Sequence, residues 1–107
     1  MPILPSGIVN QAQLAEDVRR VVAKLDTDEV RSVRYRIGTD STGEISIFFR
    51  IILSDAASQE SRLGEVTGRV SRVLFDEVGS YEKWGIYPYF SFRSESEQAW
   101  HYDGAWA

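Results

Sequence analysis

Few residues in this chain have types and spacing that could do chemistry. His101 is the only histidine, and Asp103 stands two positions beyond it, a spacing that could serve a metal or an acid–base couple. A zinc-type site needs several such donors, and the chain has no cysteine and no second histidine. No metal site is therefore expected, and His101 reads as a solvated tail residue. Asp40, Thr42 and Glu44 alternate in a glycine-bounded stretch and could offer oxygens to a cation. Gly, Asp, Ser and Thr are also the ordinary material of turns, which is the reading we favour. Asp26, Asp28 and Glu29 read as a helix stop and a solvated junction. The chain carries no GxSxG, phosphate loop, HExxH or paired GxGxxG. We expect no catalytic residue, no cofactor and no enzymatic activity.

A different chemistry, that of recognition, is written between Val33 and Leu53 and again after Trp84. Val33, Tyr35 and Ile37 alternate with Arg34 and Arg36; Ile45, Ile47, Phe49, Ile51 and Leu53 alternate with Ser46, Phe48, Arg50 and Ile52. This period of two marks strands that bury one face. Between the runs, Gly38-Thr39-Asp40-Ser41-Thr42-Gly43 supplies turn residues, so the stretch is a β-hairpin. The second strand is apolar at nearly every position, which predicts a central strand. A third strand is predicted over 84–93, where Ile86, Pro88, Phe90 and Phe92 alternate with Tyr87, Tyr89, Ser91 and Arg93. Pro88 cannot donate to a ladder, which puts that strand at an edge or gives it a bulge. Once one side is buried, the opposite face presents Arg34, Arg36, Phe48, Arg50, Ile52, Tyr87, Tyr89 and Arg93. Arginine and tyrosine are enriched at interaction hot spots, and a face this apolar implies a partner.

Two helices must hold these strands in place. Asn10 is a candidate N-cap with Gln13 at the third position of a capping box, ahead of the stripe Leu14, Val18, Val21, Val22 and Leu25. Glu16 and Arg20 form an i,i+4 pair on its outer side. A second helix is predicted over 59–78, with Leu63, Val66, Val70, Val73, Leu74 and Val78 on one stripe and Gly79 as a left-handed cap. Gly64 and Gly68 on that helix are expected to let it lie close on the sheet; the alternative is a contact with another helix. Ser94 and Glu97 match a capping box for a short helical turn. Residues 1–9 read as an extended arm and residues 98–107 as an aromatic tail. The order α-β-β-α-β predicts one α+β domain over 1–107, a two-layer sandwich with both helices on one face of a three-stranded sheet.

At 107 residues, with 43% hydrophobic and 26% charged content, the chain supports one core. The net charge of −4 argues against a general polyanion binder. No stretch is apolar for long enough to span a membrane, and no basic leader precedes an apolar run, so a cytoplasmic location is expected.

The element order is similar to that of the cytoplasmic domain of cation-diffusion-facilitator transporters and of other ferredoxin-like regulatory modules. Their metal-ligating histidines are missing here, so metal regulation does not carry over. The stretches Arg36-Ile37-Gly38-Thr39-Asp40-Ser41-Thr42-Gly43-Glu44, Phe48-Phe49-Arg50-Ile51-Ile52-Leu53 and Tyr87-Pro88-Tyr89-Phe90-Ser91-Phe92-Arg93-Ser94-Glu95 resemble a group of small uncharacterised bacterial proteins. That resemblance covers about residues 30–97 and implies a bacterial, stand-alone domain with no activity to transfer.

The expectation is a small cytoplasmic protein-interaction module, a homodimer or an accessory subunit of another protein, acting through the Arg/aromatic face. The alternative is a single-stranded RNA- or DNA-binding module that stacks bases on Tyr87, Tyr89 and Phe48. A small ligand sensor or enzyme stands behind both.

Overall fold

The structure, a computed structural model, describes residues 10–100. The arm of residues 1–9, and His101, Asp103 and the rest of the tail from 101 onward, lie outside them. The elements are α1 (Gln11–Val22), β1 (Val30–Thr39), β2 (Ile45–Leu53), α2 (Glu60–Val73), a π-helical turn (Leu74–Val78), α3 (Ser80–Trp84), β3 (Tyr87–Ser94) and α4 (Glu95–Trp100). The chain is α+β, with a three-stranded mixed sheet in the order β1-β2-β3. β1 and β2 form the expected antiparallel hairpin, and β2 pairs parallel with β3. β2 is central and β3 is an edge strand, where Pro88 is tolerated.

Alternation along β2 decides what is buried. Ile47, Phe49, Ile51 and Leu53 are fully buried and share a core with Leu14, Val18 and Val21 of α1 and Val66 and Val70 of α2. Leu74 and Val78 of the π-helical turn join them, as does Ile86. Val33, Tyr35, Ile37, Ile45, Phe90 and Phe92 pack against that cluster from the same strand positions. Two ring contacts brace it: Phe49 stacks on Phe90 at 5.5 Å with an interplanar angle of 9°, and Tyr35 lies tilted at 6.2 Å from Phe49.

The expected start and stop residues act as predicted in most places. The Gln13 N–H donates to Asn10 Oδ1 at 2.9 Å. The Ser94 N–H donates to Glu97 Oε1 at 3.2 Å while the Glu97 N–H donates to Ser94 Oγ at 3.1 Å, a reciprocal capping box. Gly79 ends the π-helical turn at φ 66°, in the left-handed region that favours glycine. Other expectations are corrected. Gln13 does not close a capping box, because its amide reaches forward to Asp17 at 2.9 Å. Glu16 pairs with Arg19, one residue before the Arg20 expected. Leu63 is exposed rather than in the core. Gly64 and Gly68 do not serve close packing on the sheet, since a Cβ on either would meet nothing within 4 Å. The helix carries their cost, about 1 kcal/mol each relative to alanine, for some other reason.

Two carboxylates tie the helices down from a distance. Glu29 is no solvated junction residue: it accepts from Arg62 Nη2 at 3.0 Å and Arg69 Nη2 at 2.5 Å, which fixes α2 against the start of β1. Asp17 is buried at the join of α1 and α3. It accepts from Lys83 Nζ at 2.7 Å, Arg20 Nη1 at 2.8 Å and Gln13 Nε2 at 2.9 Å. Burial pushes its carboxyl up, but the donors outweigh burial and bring it down to about 2. A depressed folded-state value means that the unfolded chain binds the proton more readily. The stabilisation is complete above the unfolded value of 3.8 and is lost as pH falls towards about 2. Asp17 should supply about 2 kcal/mol of the acid-labile stability in that window. Urea unfolding from pH 5 to pH 2 tests this: Asp17→Asn should be less stable at pH 5 and should show a shallower loss on acidification than the wild type.

Candidate interaction face

The register places the predicted face residues in rows across the sheet. Gly38, Ser46 and Tyr87 form the first row; Arg36, Phe48 and Tyr89 the second; Arg34, Arg50 and Ser91 the third; Ser32, Ile52 and Arg93 the fourth. Aromatic side chains therefore gather towards the hairpin-turn end and arginines towards the other. Tyr87 and Tyr89 are 50% and 41% exposed, too much for side chains covered by the rest of the fold. Arg34 and Arg36 are exposed, and Phe48, Arg50, Ile52 and Arg93 are half-buried. Arg93 Nη1 donates to Gln98 Oε1 at 3.0 Å, which joins the fourth row to α4.

The second row is a stack. The Arg36 guanidinium lies over the Phe48 ring at 4.6 Å, and Tyr89 stacks on Phe48 at 5.4 Å with an interplanar angle of 15°. Arg36 comes from β1 and Tyr89 from β3, so they approach Phe48 from opposite sides and cover both of its faces. Gly38 makes room for this, since a Cβ there would sit 2.5 Å from Arg36 Nη1. That is its use, for it lies within β1 rather than in the turn.

Asp40 holds the stack in place. Oδ1 accepts from the Thr42 hydroxyl at 2.6 Å, the Thr42 N–H at 2.9 Å and the Glu44 N–H at 3.0 Å, which closes the turn. Oδ2 accepts from the Tyr89 hydroxyl at 2.9 Å and from Ser46 Oγ at 3.3 Å. Gly43 completes the turn at φ 88°. The Thr42 hydroxyl foremost, then Tyr89 and the two backbone donors, hold the Asp40 carboxyl well below the usual carboxylate range, against a desolvation that works the other way. The same bond raises the Tyr89 phenol, because Asp40 stabilises its protonated form. Asp40 and Thr42 thus position a side chain, and this is what the turn does with the oxygens that might have suggested a cation. Among the described residues no three His, Cys, Asp or Glu side chains converge as a metal site would require.

The aromatic surface extends past the predicted residues. Tyr87 meets Tyr89 at 5.4 Å, Tyr81 at 5.8 Å and Phe75 at 6.3 Å, and Phe75 meets Tyr81 at 6.4 Å. One continuous band therefore runs from Arg36 through Phe48, Tyr89 and Tyr87 to Tyr81 of α3 and Phe75 of the π-helical turn. Phe75 and Tyr81 are exposed apolar side chains outside the helical stripe. Their place off that stripe was the signal that could have found them. No family model, curated protein or solved structure matches the chain. No helix among the described residues is long and apolar enough to cross a membrane.

The hub can be tested spectroscopically. In Asp40→Ala the Tyr89 phenol loses the acceptor that favours its protonated form, and its titration should move down towards the ordinary value of 10.0. NMR titration of ring-labelled tyrosine should show one tyrosine moving down in that variant; an unchanged set of tyrosine titrations would place the Tyr89 hydroxyl elsewhere.

Proposed function

We propose that this chain is a protein-interaction module, an accessory subunit that docks an acidic surface of another protein onto the Arg/aromatic sheet face. The observation that carries this reading is the preformed Arg36–Phe48–Tyr89 stack and its continuation into exposed aromatic rings. Rings that already hold one another lose little side-chain freedom when a partner covers them, which lowers the entropic cost of docking. The packed core behind the face supplies rigidity, and the arginine rows supply sign. Self-association through this same face is the weaker form of the reading. A second copy laid on it would bring the arginines of rows three and four against their own kind, a costly juxtaposition.

A single-stranded nucleic acid would find arginines for phosphates, but Phe48 already has Arg36 and Tyr89 as stacking partners, which a base would have to displace. The net charge of −4 also works against it. A protein partner with carboxylates around an apolar centre fits better.

The experiment is affinity purification of the tagged chain from an extract of its source cells, beside an Arg36→Glu, Arg50→Glu double variant checked for fold by circular dichroism. A protein partner should co-purify in stoichiometric amount with the wild type and fall by at least about tenfold with the variant. Retention of the same partner by the variant would move the interface off this face. Recovery of RNA that survives moderate salt and is lost in Tyr87→Ala or Tyr89→Ala would replace the reading with the nucleic-acid one.

A further inference from the structure

We propose that the outer edge of β3, with the groove beside it, joins a second copy of this chain in a two-fold dimer whose β3 strands pair antiparallel. Of the Arg/aromatic face residues only Arg93 also lines this groove, so either reading can fail alone. Among the described residues β3 pairs on one side only, with β2. On its other side, among the described residues, Phe90 and Phe92 make no backbone hydrogen bond beyond the ladder with β2, and such an edge is a template for another strand. The opposite edge is blunted: β1 carries a register irregularity between Val30 and Ser32 and the charged Arg31, Arg34 and Arg36. β3 has a single guard, Pro88, near its start. The stretch Tyr89–Ser94 is free of proline, and a two-fold axis near Ser91 and Phe92 would leave Pro88 at the end of the shared ladder.

The groove along the C-terminal half of β3 has the shape that such a pairing needs. It measures about 580 Å³ and is lined by Leu63, Gly64 and Gly68 of α2 and by Phe90, Phe92 and Arg93 of β3, among others. Phe90 and Phe92 point to the helix side of β3 and Arg93 to the open side, so the groove passes around the strand's outer edge. Phe90 and Phe92 remain only half-buried although they sit at core positions. Gly64 and Gly68 face open space. A symmetric partner whose β3 extends the sheet would bring its own α2 alongside, and two glycines on each helix allow close approach. The occupant is argued from charge as well. The charged residues lining the groove are Arg93 and Glu97, one of each sign, so two copies of this surface meet without net repulsion. The open face has no such balance.

Sedimentation and light scattering on the full chain, at concentrations up to ~100 µM, test the proposal. The wild type should have twice the 12.2 kDa chain mass. Gly68→Arg should be monomeric while its helix content is equal to the wild type or higher, because α2 has room for the side chain and glycine disfavours the helix. Arg36→Glu should stay dimeric. A monomeric wild type, or a Gly68→Arg chain as dimeric as the wild type, would overturn the proposal. Loss of the dimer in Arg36→Glu with its retention in Gly68→Arg would assign self-association to the Arg/aromatic face instead.

Discussion

The parity of β2 is the constraint on which everything else depends. Ile45, Ile47, Phe49, Ile51 and Leu53 must go to the helices, which sends Ser46, Phe48, Arg50 and Ile52 the other way. A slip of one residue would put Arg50 in the core, and burying a charge without a partner costs far more than any ladder hydrogen bond returns. Because β2 is hydrogen-bonded on both sides, its parity is imposed on β1 and β3. Consecutive rows then stack rings on opposite faces of the same two strands: Phe49 with Phe90 inside, Phe48 with Tyr89 outside. Each such pair is worth roughly 0.5–1.5 kcal/mol beyond its burial. The same register that builds the core therefore builds the outer stack.

The hairpin turn joins local and distant order. A turn of this length could close with its own backbone, and two bonds do so, the Asp40 N–H to the Glu44 carbonyl and the Gly43 N–H to the Asp40 carbonyl. The Asp40 side chain adds a bond to Tyr89, forty-nine residues away. Anchoring the ring by its hydroxyl fixes its angle to Phe48, and the fixed Phe48 in turn gives Arg36 a surface to lie on. At the other end of the sheet Asp55 works similarly on α4. It accepts from the Ser96 N–H at 3.1 Å and the Ser96 hydroxyl at 2.6 Å, and its carboxyl is lowered by those bonds. Two aspartates thus act at the two ends of the sheet, Asp40 on Tyr89 of β3 and Asp55 on Ser96 of α4.

What could be read from the sequence was what depends on near neighbours. Alternation gave the strands and their faces, Asn10 and the Ser94–Glu97 pair gave helix starts, Gly79 a helix end, and Pro88 the edge. The candidate face was legible for the same reason, since parity alone assigns a residue to one side. What escaped depends on partners far along the chain. Asp17 looked like an ordinary acidic residue early in a helix; its burial needs Lys83, sixty-six positions on. Glu29 needed Arg62 and Arg69. Phe75 and Tyr81 lay off the predicted stripe, but what brings them beside Tyr87 is the π-helical Leu74–Val78 followed at once by α3, a change of pitch that 3.6-residue periodicity does not encode. Gly64 and Gly68 were misassigned because spacing says that two residues share a helix face but not which way the face points.

β3 belongs to two surfaces at once, and their electrostatics sort their uses. Tyr87, Tyr89 and Arg93 face a surface rich in arginine, and the docking proposal gives that surface to an acidic partner. Phe90 and Phe92 face a groove of balanced charge beside an unpaired edge, which does not reject its copy. The two uses do not compete for atoms, since edge pairing consumes backbone groups in the plane of the sheet while the face stands perpendicular to it. A sheet continued through β3 would carry both Arg/aromatic faces on one side. A partner with two acidic sites would then bind the second face as an intramolecular step, and the gain would come from effective concentration rather than from any new contact. On that logic the two glycines of α2, which weaken the helix that bears them, act on recognition at the opposite side of the sheet by setting how many faces are presented together.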